Sequence, residues 1–183
     1  HSKYKLYNHV NRGYKYYLPR ELISIKQDEY NETIQSKYYD YYLYVDLVRY
    51  FNHAEETYEV DSNNYYSRLL QTEDKSGILN IKQVSEEEYL IQVSYNYANV
   101  EVRVKENDIR SSLVHALVIV TSVSYNDDVI KNLLEQDTLT SPDEQVKVFD
   151  VDTKEDDLLD VEEDVYSGNE EEDYDPDVIN KRG

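Results

Sequence analysis

The stretch EYLIQVSYNYANVEVRVK, residues 88–105, decides the class of fold. Its first half sets Tyr89, Ile91, Val93, Tyr95 and Tyr97 on one face and Leu90, Gln92, Ser94 and Asn96 on the other. After Ala98 and Asn99, Val100, Val102 and Val104 alternate with Glu101, Arg103 and Lys105. A period of two belongs to a strand, and the β-branched and aromatic content fits a pleated surface. Asn96 and Asn99 favour a tight turn between the halves, with a bulge inside one long bent strand as the alternative.

Hairpin signals continue upstream. Residues 64–71, a Glu-Asp-Lys-Ser-Gly turn ending at Gly77, residues 78–84 and the polar Ser85 to Glu88 read as strand, turn, strand, turn. From 38 to 51, odd positions carry Tyr39, Tyr41, Leu43, Val45, Leu47, Arg49 and Phe51, and even ones Tyr38, Asp40, Tyr42, Tyr44, Asp46, Val48 and Tyr50. This predicts one long two-faced strand, because a helical stripe would have to take in Asp46 or Arg49 at its flanks. Residues 21–26 read as a first strand and the polar 28–37 as a loop or brief helix. A short helical piece is expected before Gly13, and Pro19 biases Leu18 toward extended backbone.

Downstream, Asn107 or Asp108 can cap a helix whose Ile109, Leu113, Ala116, Leu117, Val120 and Val123 follow 3-4 spacing. Val114, Val118 and Ile119 make its second face apolar too, so it is expected to be buried over most of its circumference or to meet another subunit. The run 124–127 reads as a second capped start, leading into Val129, Ile130, Leu133 and Leu134. Residues 144–151 are expected to add an edge strand through Val146, Val148 and Val151.

Charge divides the chain. The last 34 residues, 150–183, hold 15 of the 39 carboxylates against three bases, whereas residues 1–149 hold 24 acids and 16 bases with 19 of the 21 tyrosines. The expectation is a single α+β domain over 1–149, a twisted antiparallel sheet of about five strands packed on a C-terminal helix, followed by a disordered acidic tail over 150–183. A net charge of −20 argues against direct contact with nucleic-acid backbones or anionic lipid and leaves basic partners open. Lys3, Lys5, Arg12, Lys15 and Arg20 make the first 20 residues a local exception.

Absence of cysteine excludes thiolate chemistry and disulfides, and fits export and cytosol alike. No window reaches the ~18 apolar residues of a membrane span. A start at His1 rather than Met is compatible with a processed chain once preceded by a signal peptide or anchor.

Tyrosine, with 15 of 21 copies before residue 67, is the strongest functional signal. It offers large contact area, few rotors and a polar tip. Tyr38, Tyr42, Tyr44 and Tyr50, on the even face of 38–51, are the candidate binding residues. The competing reading makes tyrosine an ordinary core and cross-strand filler.

Other constellations fall short of chemistry. Asp40 and Asp46, six residues apart on one strand, would lie ~20 Å apart by strand rise, too far for a glycosidase pair unless an acid such as Glu101 approaches. His1, His9, His53 and His115 show no ligand spacing, and His115 beside Ser111 and Ser112 lacks an indicated acid and oxyanion hole. The acidic run from Asp150 fails as a calcium loop, with Glu155 sixth and Val161 twelfth. Asn31-Glu-Thr33 fits the glycosylation sequon, a pattern short enough to arise by chance. With four glycines there is no phosphate loop.

The resulting expectation is a non-enzymatic protein-binding or assembly module, placed outside the cytoplasm in a bacterial envelope and needing no cofactor or metal. Its partner is a protein, basic chemistry fits it, and homo-oligomerisation is left open. The alternatives are an acidic decoy or inhibitor of a basic nucleic-acid-binding protein and a carboxylate hydrolase using Asp40 or Asp46.

Overall fold

The computed structural model describes residues 7–28 and 30–136; the acidic tail and the expected strand at 144–151 lie outside them. A seven-stranded antiparallel sheet forms the frame. Its strands are β3 (Ile23–Gln27), β4 (Asn31–Gln35), β5 (Asp40–Val45), β6 (Tyr66–Gln71), β7 (Ser76–Gln83), β8 (Glu88–Tyr95) and β9 (Ala98–Lys105), in the spatial order 3-4-5-9-8-7-6. A small sheet of β1 (His9–Val10), β2 (Tyr14–Tyr16) and β10 (Ser124–Tyr125) accompanies it, with helices α1 (Leu47–Phe51), α2 (Ile109–Ser122) and α3 (Asp127–Glu135).

The α+β class stands, with seven strands rather than about five. Residues 88–105 form the centre, and Tyr95 pairs with Ala98 across a two-residue turn in which Asn96 and Tyr97 both have positive φ, 49° and 63°. This is the backbone of a type I′ hairpin, whose twist matches that of its strands, so the turn alternative holds and the bulge does not.

Three local expectations are corrected. The stretch expected as loop or brief helix at 28–37 contains β4, whose inward positions are Glu32 and Ile34; a carboxylate on the core face hides the alternation. The short element before Gly13 belongs to a hairpin, β1–β2, and not to a helix. The long strand 38–51 stops at Val45, because Asp46 turns inward and accepts a hydrogen bond from the Arg49 backbone N–H at 2.9 Å, capping α1.

The core lies on one side of the large sheet. Tyr41, Leu43 and Val45 of β5, Val100, Val102 and Val104 of β9, and Ile91 and Val93 of β8 face Ala116, Ile119 and Val120 of α2. Leu47 of α1 and Ile130 and Leu133 of α3 join the same cluster, as do Tyr14 and Tyr16 of the small sheet. Ile119, assigned by its spacing to the second face of α2, is therefore a core residue, whereas Val114 is exposed. Gln136, the last described residue, follows α3 directly.

Candidate functional site

Register places the polar residues of the opposite face in line. Thr33 stands opposite Tyr42, Tyr42 opposite Glu101, Glu101 opposite Gln92, Gln92 opposite Asn80, and Asn80 opposite Ser67. Lys26 of β3 completes the row opposite Thr33, so one polar line crosses all seven strands, roughly 29 Å at ordinary strand spacing. The next row on the same face runs Asn31, Tyr44, Asn99, Ser94, Ile78 and Leu69.

Side-chain hydrogen bonds fix several members. Gln92 donates Nε2–H to Glu101 Oε1 at 2.7 Å, Ser67 donates to Asn80 Oδ1 at 2.6 Å, and Ser94 donates to Asn99 Oδ1. Residues 52–65 cross part of this face. Ala54 accepts from the Tyr97 hydroxyl at 2.8 Å, Asp61 N–H donates to Ser67 Oγ at 3.2 Å, and Asn64 Nδ2 donates to Asn80 Oδ1 at 3.1 Å. Ile78 and Leu90 are buried on this face, apart from the main core. What emerges is a flat platform of amides and hydroxyls with Tyr42 and Tyr44 half-buried near its middle.

The four tyrosines expected to bind separate in space. Tyr42 and Tyr44 share the platform. Tyr38 lies in the β4–β5 turn, 72% exposed, with Lys37 Nζ 5.0 Å from its ring centroid. Tyr50 leaves the group because α1 carries it to the Tyr125 ring and its hydroxyl donates to Asp127 Oδ1 at 3.0 Å. Burial, then the nearby Asp46 carboxylate, holds the Tyr44 phenol well above its ordinary range. The tyrosine-filler reading is also realised, since Tyr14, Tyr16, Tyr41, Tyr89 and Tyr95 are core residues.

The carboxylates suggested for hydrolysis have structural partners. Asp46 caps α1, Asp40 Oδ1 accepts from Gln35 Nε2 at 2.9 Å, and Glu101 accepts from Gln92. His115 contacts the Tyr41 hydroxyl through Nδ1 at 3.2 Å and lies 3.7 Å from Glu21, while Ser111 donates to the Asp108 carbonyl. This is a helix-edge histidine without an oriented nucleophile. Among the described residues no group of acids and histidines gathers to hold a metal ion, and no helix is long and apolar enough to cross a membrane.

A second polar cluster is enclosed. Glu32 is 1% exposed; its Oε1 accepts from Ser24 Oγ at 2.6 Å and lies 2.7 Å from His9 Nε2, and the Tyr14 hydroxyl reaches Oε2 at 3.4 Å. The His9 approach is off-line for a hydrogen bond, which makes the contact mainly electrostatic. Burial, then Glu32, drives the Tyr14 and Tyr16 phenols upward. The cluster joins β1 and β2 to β3 and β4.

Sequence patterning places Gln92, Ser94 and Glu101 off the core face, but it cannot place Tyr42 beside Glu101, because that juxtaposition depends on the pairing of β5 with β9. Glu32 carries no local signal of burial. No protein-family model and no curated protein sequence matches the chain.

Proposed function

We propose that this chain is a non-catalytic binding module that holds a protein partner on the helix-free face of its large sheet, around Tyr42 and Tyr44. The cross-sheet row from Lys26 to Ser67 carries this reading. Tyrosine set among asparagine, serine, threonine and glutamine is the chemistry of adaptable protein recognition: rigid aromatic area at low entropic cost, with amides and hydroxyls to match a partner's backbone. The sheet holds these groups in place before binding, so less ordering is required on association. Asp40 and Glu101 beside the tyrosines, and the charge of −20, favour a partner with basic groups.

An antiparallel sheet with one solvated face is the competing account, and cross-linking separates the two. A photoreactive phenylalanine analogue placed at Tyr42 is expected to give one discrete protein adduct in source-cell lysate at high salt. The same analogue at Val114, exposed on α2, is expected to give none. The double variant Tyr42→Ala/Tyr44→Ala should compete poorly with wild-type chain for that adduct while retaining its fold. Equal labelling from both positions, or none from Tyr42, overturns the proposal.

A further inference from the structure

The two edges of the large sheet are built differently. β3, at one edge, has a register shift between Ser24 and Lys26 where it meets β4, and it carries Lys26 outside that irregularity. A bulge and a lysine are both devices that discourage another strand from adding to an edge. β6, at the other edge, pairs with β7 through six consecutive residues with no shift and contains no proline. Among the described residues no strand or backbone hydrogen bond occupies its outer side. Its surroundings are apolar and exposed, with Leu69 at 45% and Tyr65, Tyr66 and Val60 beside it.

We infer that β6 is a self-association edge, on which a second copy of this chain adds its own β6 antiparallel to make one continuous sheet of two subunits. A two-fold axis perpendicular to a sheet keeps each face on its own side, so residues of the same orientation must oppose one another. That rule leaves registers centred on a residue. Centring on Arg68 sets two guanidinium groups face to face. Centring on Leu69 sets Leu69 against Leu69, Ser67 against Gln71 and Arg68 against Leu70, and extends to Tyr66 against Thr72 and Tyr65 against Glu73. This register opposes no like charges, packs apolar against apolar at the axis, and brings each Tyr65 hydroxyl toward a carboxylate. Arg68 therefore selects the register. The self-complementarity of the segment favours a second copy over an unrelated strand. A single strand pair buries less than a standard interface, so the dimer is a reversible one. The net charge of −20 repels two copies, and salt strengthens their association. The inference is independent of what binds the platform.

The chain has no cysteine, so Leu69→Cys and Ile23→Cys each introduce a sole thiol, one at each edge. Under mild oxidation of the full chain, Leu69→Cys is expected to form a disulfide-linked dimer at least about tenfold faster than the equally exposed Ile23→Cys. Sedimentation velocity over a concentration series at high salt should show a monomer–dimer equilibrium that Leu69→Lys weakens about tenfold or more, by setting two lysines opposite each other, with unchanged circular dichroism. A monomer at every concentration, a dimer indifferent to Leu69→Lys, or disulfide formation at Ile23 as fast as at Leu69 overturns the inference.

Discussion

The Tyr50 ring lies flat against that of Tyr125, with centroids 3.7 Å apart and planes 15° from parallel. The stack joins α1 to β10, and Tyr97 meets Tyr50 edge-on at 5.8 Å, so the helix that ends β5 is clamped to the β8–β9 turn and the small sheet together. Tyr125 adds a hydrogen bond to the Asn96 carbonyl. Tyr50→Ala should lower unfolding free energy by about 2–3 kcal/mol, from lost burial and ring contact. Tyr50→Phe keeps the stack and forfeits only the bond to Asp127, for a loss of roughly 0.5–1 kcal/mol. Urea denaturation of the two variants measures the difference; equal losses would show that the hydroxyl, not the ring, holds the clamp.

Alkaline pH tests the buried phenols. Tyr14, Tyr16 and Tyr125 are raised above their ordinary value first by burial, then by the carboxylates of Glu32, for the first two, and Glu56, for Tyr125. A raised folded-state value means that above pH ~10 the unfolded chain releases protons that the folded chain retains. Their contribution is therefore complete below that pH and is lost as pH rises. Ultraviolet titration should show the exposed Tyr38 and its like ionising near pH 10 in the folded chain, and the buried set ionising together at the pH where circular dichroism reports unfolding. Smooth titration of all phenols without loss of fold would refute this.

Gly77 gives a backbone test. It faces Tyr95 in the β7–β8 ladder, and a Cβ there would collide with the Ser94 carbonyl oxygen and come within 2.9 Å of Tyr95 Cα. These are main-chain atoms of a paired strand, so relief requires the strands to part. Gly77→Ala should destabilise by on the order of 3 kcal/mol or more. Ser76→Ala next to it, free of that collision, should change stability by under about 1 kcal/mol. Thermal unfolding of both variants checks the contrast.

What was legible follows from where the information lies. Strands 66–105 could be read because alternation and turn residues sit side by side in the chain, and α2 because 3-4 spacing is local too. β4 was hidden by Glu32, whose burial depends on Ser24, His9 and Tyr14 arriving from other elements. The end of β5 was hidden because Asp46 serves as a cap in a segment whose alternation continues past it. The platform was half legible: Tyr42 and Tyr44 were marked by composition, while Glu101 and Gln92 became their neighbours only through non-local strand order. Tyr50 was grouped with them by counting along a strand that had already become a helix.

The contact of His9 with Glu32 leads to the most discriminating stability experiment. Glu32 is a carboxylate with no solvent of its own, held at one oxygen by Ser24 and approached by a histidine whose side chain is 22% exposed. Removing one member of a buried pair leaves the other poorly compensated, whereas removing both charges can be far milder. His9→Ala should cost about 2–3 kcal/mol, a figure at the low end for buried pairs because His9 reaches solvent. Glu32→Gln retains the volume and an acceptor for Ser24. The double variant should therefore be less destabilised than the sum of the singles, by about 1 kcal/mol or more. Urea unfolding of the four proteins measures that coupling. A coupling of zero would mean that the hairpin β1–β2 is held by the packing of Tyr14 and Tyr16 alone, and Tyr16→Leu would then become the variant that frees it.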